Sequence, residues 1–154
     1  MLQIGDRMPE FTLRDNDRKE VTQEALKGAV SVVAFYPMAF TGGCTLEMRA
    51  FQGMYPQIQE LGAKVIAVSA DTYAAQGAFA RENGIEFPLL SDWPARKTIE
   101  AFGVQREGAE TAMRYTFVFD ENGVVRQVID DPRDMNAHPA GALAAVQSLT
   151  KADA

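Results

Sequence analysis

Two strongly apolar segments separated by a helical pattern limit the fold of this chain more than any other feature. Residues 30–36 run Val-Ser-Val-Val-Ala-Phe-Tyr before Pro37, and residues 64–69 form a second such run. Runs of this kind are typical of strands buried on both faces of a sheet. The residues between them place one apolar stripe on a helix: Phe51, Met54, Tyr55, Ile58 and Leu61. This order predicts a βαβ unit with parallel strands.

The rest of the chain extends this unit into a larger α/β fold. The other predicted elements are a small hairpin from residues 11–13 and 20–22, a helix over 73–83, a strand over 87–90, a helix over 94–102, a hairpin from 115–119 and 124–129, and a closing helix over 139–151. No repeat or Pro/Ser-rich linker interrupts the pattern. We therefore expect one domain over residues 1–154, with a central mixed sheet flanked by helices and an N-terminal hairpin.

Charge and hydropathy exclude several classes of function. The net charge is −6, and acidic and basic residues are interspersed, which argues against binding nucleic acid or an anionic membrane. The longest apolar run, residues 29–36, is far shorter than the roughly 20 residues that cross a bilayer. No basic segment followed by an apolar one opens the chain, so we expect a cytoplasmic protein. A mature form cut from a longer precursor would look the same.

The chain contains one cysteine, Cys44. An intramolecular disulfide is therefore impossible, and so is a cysteine-rich metal site within one chain. Asp130, Asp131 and Asp134 lack the spacing of a calcium loop and are expected to form a solvated turn. We expect neither a metal nor a cofactor.

Cys44 falls in the first turn of the predicted helix, beyond the carboxyl end of the first buried strand. Unpaired N–H groups and the helix dipole favour a thiolate there and lower the pKa of a thiol. Gly42 and Gly43 leave room for a small ligand, while Thr41 can cap the helix or point its hydroxyl at that ligand. The alternative is that Cys44 is an inert, buried apolar residue, as lone cysteines commonly are.

The residues around Cys44 resemble a known family. Pro37-x-x-x-Thr41-x-x-Cys44 matches the peroxiredoxin active-site pattern Pro-x-x-x-Thr/Ser-x-x-Cys in full. Further similar stretches are Gly5-Asp6-x-x-Pro9-x-Phe11-Thr12-Leu13, Ala39-Phe40-Thr41-Gly42 and Arg114-Tyr115-Thr116-Phe117-Val118-Phe119-Asp120. The resemblance covers nearly the whole chain in the right order. It implies a thioredoxin-like fold and a thiol peroxidase that reduces hydrogen peroxide and organic hydroperoxides.

The resemblance also implies a role for each matching residue. Cys44 would be the peroxidatic nucleophile and would become a sulfenic acid. Thr41 would hydrogen-bond the peroxide, and Pro37 would shield the thiolate from water. Arg114 would hold the thiolate and polarise the peroxide. Glu47 would orient that arginine, unless it is only a favourable acid in the first turn of a helix.

Arg49 indicates the branch of the family. It occupies the position, five residues after Cys44, where bacterioferritin-comigratory peroxiredoxins often carry a second cysteine. The chain therefore resembles the one-cysteine enzymes close to alkyl hydroperoxide reductase E. An external thiol would have to recycle Cys44, and mycoredoxin, glutaredoxin, thioredoxin or a low-molecular-weight thiol are candidates. A homodimer is compatible with the resemblance, because Met38 and Phe40 in the active-site loop would suit burial against a second copy.

Two other functions stay open at this stage. One is a redox-sensing or binding protein on the same scaffold, with oxidation of Cys44 as its signal. The other is a thiol–disulfide oxidoreductase, which is disfavoured because Thr41-Gly42-Gly43-Cys44 lacks the first cysteine of Cys-x-x-Cys. His138, the only histidine, is expected in a loop or at a helix cap rather than as a general base. The remaining expectations are core or interface positions for Trp93 and Phe102, and solvent-facing positions for Arg49, Arg106 and Arg126.

Overall fold

A computed structural model describes residues 1–151. Within these residues the strands are β1 (Thr12–Asp15), β2 (Glu20–Thr22), β3 (Ser31–Phe35), β4 (Lys64–Ser69), β5 (Leu89–Ser91), β6 (Tyr115–Phe119) and β7 (Val125–Ile129). The helices are α1 (Gly42–Glu60), α2 (Tyr73–Asn83), α3 (Lys97–Phe102) and α4 (Ala137–Lys151), with a short 3-10 helix over Gln23–Leu26. The chain thus has the mixed α/β composition that the sequence predicts.

The strands form one sheet in the order β2-β1-β5-β4-β3-β6-β7. β3 pairs in parallel with β4, and β4 in parallel with β5, as the βαβ pattern requires. The other pairs are antiparallel. The predicted central mixed sheet is confirmed, and β3 lies inside it with all five residues buried. The predicted N-terminal hairpin is also present, and it joins the sheet because β1 pairs with β5.

Side chains of the sheet alternate between two apolar cores. Val32 and Ala34 point into the core that contains α1, α2 and α4. Val33 and Phe35 point into the opposite core, where α3 packs. Helices therefore cover both faces of the sheet, which explains why the central strands are apolar without interruption.

The register between β3 and β6 places Arg114 next to the active-site loop. Phe35 lies opposite Tyr115, and Ala34 lies opposite Thr116. Arg114 precedes β6 directly, so it lies level with Tyr36, where the chain leaves β3 for the loop that leads to α1. Residues far apart in the sequence therefore meet at the carboxyl end of β3.

Some boundaries differ from the predicted ones. β5 spans Leu89–Ser91 rather than residues 87–90. α3 begins at Lys97 instead of residue 94, because the carboxylate of Asp92 accepts hydrogen bonds from the backbone N–H groups of Thr98 and Ile99 at the helix start. α4 begins at Ala137, two residues earlier than predicted. α2 has the predicted bounds, with a left-handed Gly84 (φ 65°) after its last turn.

The surface carries a few large apolar side chains. Trp93 is 60% exposed, so of the two expected positions the core is wrong for it and an interface stays a prediction, whereas Phe102 is fully buried in the core. Met38 and Phe40 in the loop after β3 are also about half exposed. In the part of the chain that the structure describes, no helix is both long and apolar enough to span a membrane.

Candidate active site

Cys44 lies in the first turn of α1 and is fully buried. Thr41 precedes the helix with an extended backbone, and its carbonyl oxygen accepts hydrogen bonds from both the N–H (2.9 Å) and the hydroxyl (2.8 Å) of Thr45. The hydroxyl of Thr41 donates to the carbonyl oxygen of Met38 at 2.7 Å instead of accepting from a helix N–H group. The side chain of Thr41 therefore braces the loop and does not cap the helix, so that expected role is wrong.

The loop before the helix is tied to the neighbouring strand by Asp71. This residue follows β4, whose carboxyl end lies at the same sheet edge as that of β3. One carboxylate oxygen, Oδ2, accepts hydrogen bonds from the N–H of Ala39 (2.8 Å) and from the hydroxyl of Ser69 (2.7 Å). Sequence reasoning missed Asp71, although a polar residue just beyond the adjacent parallel strand was a usable signal.

Arg114 connects the cysteine to an acidic residue on the same helix. Its Nη2 lies 3.4 Å from the sulfur of Cys44, and its Nη1 donates to Oε1 of Glu47. The guanidinium packs over Gly43, where an added Cβ would lie only 3.2 Å from Nη2. The missing side chain at Gly43 thus makes room for Arg114 rather than for a ligand, whereas Gly42 has open space around it.

Glu47 is fully buried and is not a solvated acid of the first turn. Burial raises the pKa of Glu47 to about 7, although the positive charge of Arg114 opposes this shift. Burial also opposes the charge of Arg114, but its interactions with the carboxylate of Glu47 and the sulfur of Cys44 outweigh it and raise the pKa of Arg114. The second carboxylate oxygen of Glu47, Oε2, is buried and accepts no hydrogen bond from the described residues.

His138 is fully buried in the first turn of α4, so its expected place in a loop or at a helix cap is wrong. Nε2 lies 2.6 Å from the carbonyl oxygen of Asp131 and Nδ1 lies 2.9 Å from Oγ1 of Thr116. Nδ1 is also 3.9 Å from Oε2 of Glu47. Burial lowers the pKa of His138, and the hydrogen bond to Asp131 opposes that shift.

The structure brings together three of the five predicted site residues by direct contact: Cys44, Glu47 and Arg114. Thr41 stands at the start of the same helix, and Pro37 is half-buried at the start of the loop.

Asp131 behaves as the expected turn residue, since its carboxylate accepts hydrogen bonds from the N–H groups at positions 133 and 134. Among residues 1–151 no cluster of histidine, cysteine and acidic side chains is arranged to hold a metal ion.

This arrangement suits a reaction in which negative charge moves away from the sulfur. A guanidinium in contact with a thiol stabilises the thiolate, and a fixed donor beside it can stabilise an oxyanion that departs from the sulfur. A small molecule with a weak, polarisable bond between two electronegative atoms is the matching reactant. The buried carboxylate of Glu47 limits the positions that the guanidinium can occupy.

Comparison with known proteins gives consistent matches. The AhpC/TSA family matches residues 4–128. Alkyl hydroperoxide reductase E of Mycobacterium tuberculosis is 38% identical over 128 residues, which are 82% of this chain and 84% of that protein. Chloroplastic peroxiredoxin Q of Oryza sativa is 36% identical over 146 residues, covering 94% and 67%. The crystal structure of peroxidoxin BcpB from Mycobacterium tuberculosis superposes with a TM-score of 0.90 at 31% identity, covering 97% of this chain and 99% of that one.

Proposed function

Because this chain belongs to the AhpC/TSA family and is a peroxiredoxin, a thiol-dependent peroxidase with a thioredoxin-like fold, we propose that Cys44 is the thiol that reduces the peroxide. The observation that supports this assignment most directly is the 3.4 Å contact between Nη2 of Arg114 and the sulfur of Cys44. Cys44 is also the only cysteine of the chain, so the family's chemistry has no other thiol to use.

The first step transfers one oxygen atom from the peroxide to the sulfur. The Cys44 thiolate attacks the hydroxyl oxygen of a hydroperoxide, so that a sulfur–oxygen bond forms while the oxygen–oxygen bond breaks. The sulfur is oxidised by two electrons to a sulfenic acid, and the peroxide is reduced. The departing alkoxide or hydroxide takes up one proton and leaves as an alcohol or water. Arg114 stabilises the negative charge first on the sulfur and then on the departing oxygen.

The other residues hold this geometry. Thr41 already donates its hydroxyl proton to Met38, but the hydroxyl oxygen keeps lone pairs that accept a hydrogen bond from the peroxide O–H. Pro37 has no N–H group to bind water, and its proposed role, which the family resemblance implies, is to shield the thiolate from water. Glu47 fixes one arm of the guanidinium so that the other arm stays on the sulfur.

An external thiol completes the cycle. It attacks the sulfenic acid and releases water, which leaves a mixed disulfide on Cys44, and a second thiol then releases the reduced enzyme. Mycoredoxin, glutaredoxin, thioredoxin or a low-molecular-weight thiol fit this role. Because Cys44 is fully buried in the first turn of α1, a protein thiol reaches it only if that turn opens. The cycle draws on a pool of reduced thiols, which is the reason for proposing a cytoplasmic location.

The surroundings of the loop favour organic hydroperoxides as well as hydrogen peroxide. A cleft of about 310 Å³ opens on the far side of Pro37 from the sulfur-bearing helix turn, lined by the apolar side chains of Met38, Trp93 and Pro94 and by the charged side chains of Asp71, Arg96 and Glu110, but not by Cys44 or Arg114. The apolar group of an alkyl hydroperoxide would reach this cleft only by passing Pro37 and Met38. The exposed Met38 and Phe40 would equally suit the interface of a homodimer, which sedimentation of the reduced protein would detect.

Rapid mixing tests the proposed nucleophile. The reduced protein is mixed with one equivalent of hydrogen peroxide, and the remaining free thiol and the fluorescence of Trp93 are followed over time. We expect the thiol to disappear orders of magnitude faster than free cysteine reacts under the same conditions, because the enzyme holds a stabilised thiolate and a donor for the departing oxygen. The Cys44→Ser protein should show no change in fluorescence on this timescale.

Thiol loss no faster than that of free cysteine, with both hydrogen peroxide and an organic hydroperoxide, would contradict the assignment. Fast oxidation without turnover in the presence of each candidate reductant would instead favour a redox sensor. The same assay with each reductant in turn identifies the recycling thiol.

A further inference from the structure

His138 and Glu47 are two buried titratable side chains that face each other next to the site. Glu47 comes from α1 and His138 from α4, and both are fully buried. Arg114 occupies only Oε1 of the carboxylate, so Oε2 is left with Nδ1 of His138 as the facing polar atom, at 3.9 Å. A buried carboxylate oxygen without a donor is costly. The imidazole that faces it at 3.9 Å limits where the carboxylate can sit.

The imidazole itself is held at both nitrogens. A carbonyl oxygen can only accept, so the 2.6 Å contact with Asp131 requires a proton on Nε2. Nδ1 of the neutral ring then accepts from the hydroxyl of Thr116 at 2.9 Å. Thr116 and Arg114 are two residues apart in the segment that enters β6, the spacing that places side chains on one face of a strand. The ring is thus fixed by the same strand that delivers the arginine.

We propose that His138 is a positioning residue for the reaction at Cys44, an inference that rests on the proposed function. It acts through Glu47: the ring, locked by Thr116 and Asp131, sets the place of the carboxylate, and the carboxylate sets the guanidinium that touches the sulfur. The chain of contacts runs His138, Glu47, Arg114, Cys44 and joins α4 to the first turn of α1. His138 itself does not contact the sulfur.

The charges around the pair fit this role. The charged groups around His138 are Glu47 from α1, Arg114 from the start of β6, and Asp130 and Asp131 from the loop before α4. Burial lowers the pKa of His138, so the ring is neutral at neutral pH. A neutral ring adds no second positive charge to compete with Arg114 for Glu47.

Two substitutions at position 138 distinguish a role in positioning Glu47 from a purely structural role, in which the ring only holds the carbonyl oxygen of Asp131. The short side chain of His138→Asn ends where Nδ1 lies and keeps a polar group facing Glu47. The longer side chain of His138→Gln ends near Nε2 and keeps the link to the carbonyl oxygen of Asp131. If His138 positions Glu47, His138→Gln should slow oxidation of Cys44 about tenfold, because the carboxylate loses the group that limits its place and the guanidinium is then held less accurately on the sulfur, and His138→Asn should be closer to the wild type. A purely supporting role predicts the reverse order.

A double-mutant cycle with Glu47→Gln tests the route of the effect. If His138 acts through Glu47, then His138→Gln should change the rate of thiol loss by less than twofold once Glu47→Gln is present. An equal factor in both backgrounds would overturn the proposal, and so would a rate unchanged by His138→Gln alone.

Two further variants protect the test against loss of folding. Thr116→Val keeps the shape of the side chain but removes the hydroxyl that donates to Nδ1 of His138. It should therefore slow oxidation of Cys44, as His138→Gln does, while leaving the sequence of α4 unchanged. Thr98→Val is the matched control, because Thr98 is also a buried threonine but lies in α3, away from Cys44. It should leave the rate unchanged at a similar loss of thermal stability. Slowing by Thr98→Val as large as that by Thr116→Val would overturn the proposal.

Failure of the proposed function would look different. In that case the wild-type protein itself would react no faster than free cysteine, and no variant would be slower. If the wild type is fast and all position-138 variants match it, only the positioning role is wrong.

Discussion

Two ion pairs of the same chemical type lie at opposite ends of β6 and differ in burial and in the pKa of the acid. Arg114 pairs with Glu47 at the start of β6, and Arg126 on β7 pairs with Asp120. The side chains of the first pair are 13% and 0% exposed, and those of the second are 55% and 10% exposed. Burial raises the pKa of Glu47 to about 7. At Asp120 burial acts in the same direction, but hydrogen bonds from Arg126, Val124 and Asn122 outweigh it and lower the pKa.

The difference lies in the number of donors around each carboxylate. Asp120 accepts from Nε of Arg126 and from the N–H groups of Asn122 and Val124. Glu47 accepts only from Arg114 among the described residues, and its Oε2 has no donor. The contacts of Asp120 all lie within residues 120–126 and stabilise the turn there, whereas Arg114 uses Nη1 for Glu47 and keeps Nη2 for a third group. Here that third group is the sulfur of Cys44.

The largest expected effect comes from removing the charge of the buried arginine. Arg114→Gln should slow oxidation of Cys44 by hydrogen peroxide about a hundredfold or more, because a fixed donor to the developing negative charge is lost. The measurement is the second-order rate constant of thiol loss. Arg126→Gln is the matched control and should keep the wild-type rate, since its partner lies in the turn between β6 and β7. Equal slowing in both variants would show that the Arg114–Glu47 pair is no more important for the reaction than the Arg126–Asp120 pair.

A smaller effect should appear in the pH dependence of stability. The folded-state pKa of Glu47, about 7, lies above its unfolded value of 4.5, so its contribution to stability is fully present below pH 4.5 and is lost as the pH rises through 7. Glu47→Gln removes this titration. Relative to the wild type, the variant should therefore gain stability between pH 4.5 and 7, on the order of 3 kcal/mol at most. Chemical denaturation of both proteins across this range measures the difference, and a constant difference would contradict the raised pKa.

The smallest effect, with the opposite pH dependence, is expected at the exposed pair. The folded-state pKa of Asp120 is lowered, so its contribution is present above the unfolded value and is lost as the pH falls through the folded value. Asp120→Asn should destabilise the protein by about 1 kcal/mol at pH 7 and by less in acid, because it weakens only a partly exposed pair. Denaturation at the two pH values tests this. A loss that grows in acid would show that Asp120 behaves like Glu47 after all.

Much of the backbone was predictable because local and tertiary preferences agree. β3 and β4 are apolar on both faces, and the structure covers both faces with helices. α2 has the predicted bounds because Thr72 accepts from the N–H of Ala75 at one end and Gly84 takes a left-handed conformation at the other. The start of α3 was missed because the carboxylate that holds it, Asp92, lies five residues before the helix.

The candidate site was only partly predictable. The spacing of Pro37, Thr41 and Cys44 is a local pattern, and the resemblance supplied Arg114 from a distant strand. Nothing local distinguishes His138 from a surface histidine, because its burial depends on where α4 packs against the sheet. Asp71 was equally hidden, since its contact with Ala39 spans 32 positions. Residues that act through other residues are visible only in three dimensions.

The pairing of β3 with β6 also has a consequence for how such a site can be transferred or evolved. Phe35 lies opposite Tyr115, and this places Arg114 and Thr116 on the face of α1 and α4. A slip of β6 by one residue would send both polar side chains to the opposite face, beside the aromatic rings of Phe35 and Phe102. The apolar pattern of the core fixes the register of β6 against β3, and the geometry of the candidate site therefore depends on that pattern. Grafting Cys44, Glu47 and Arg114 onto another scaffold would fail unless the graft also carried this strand alignment.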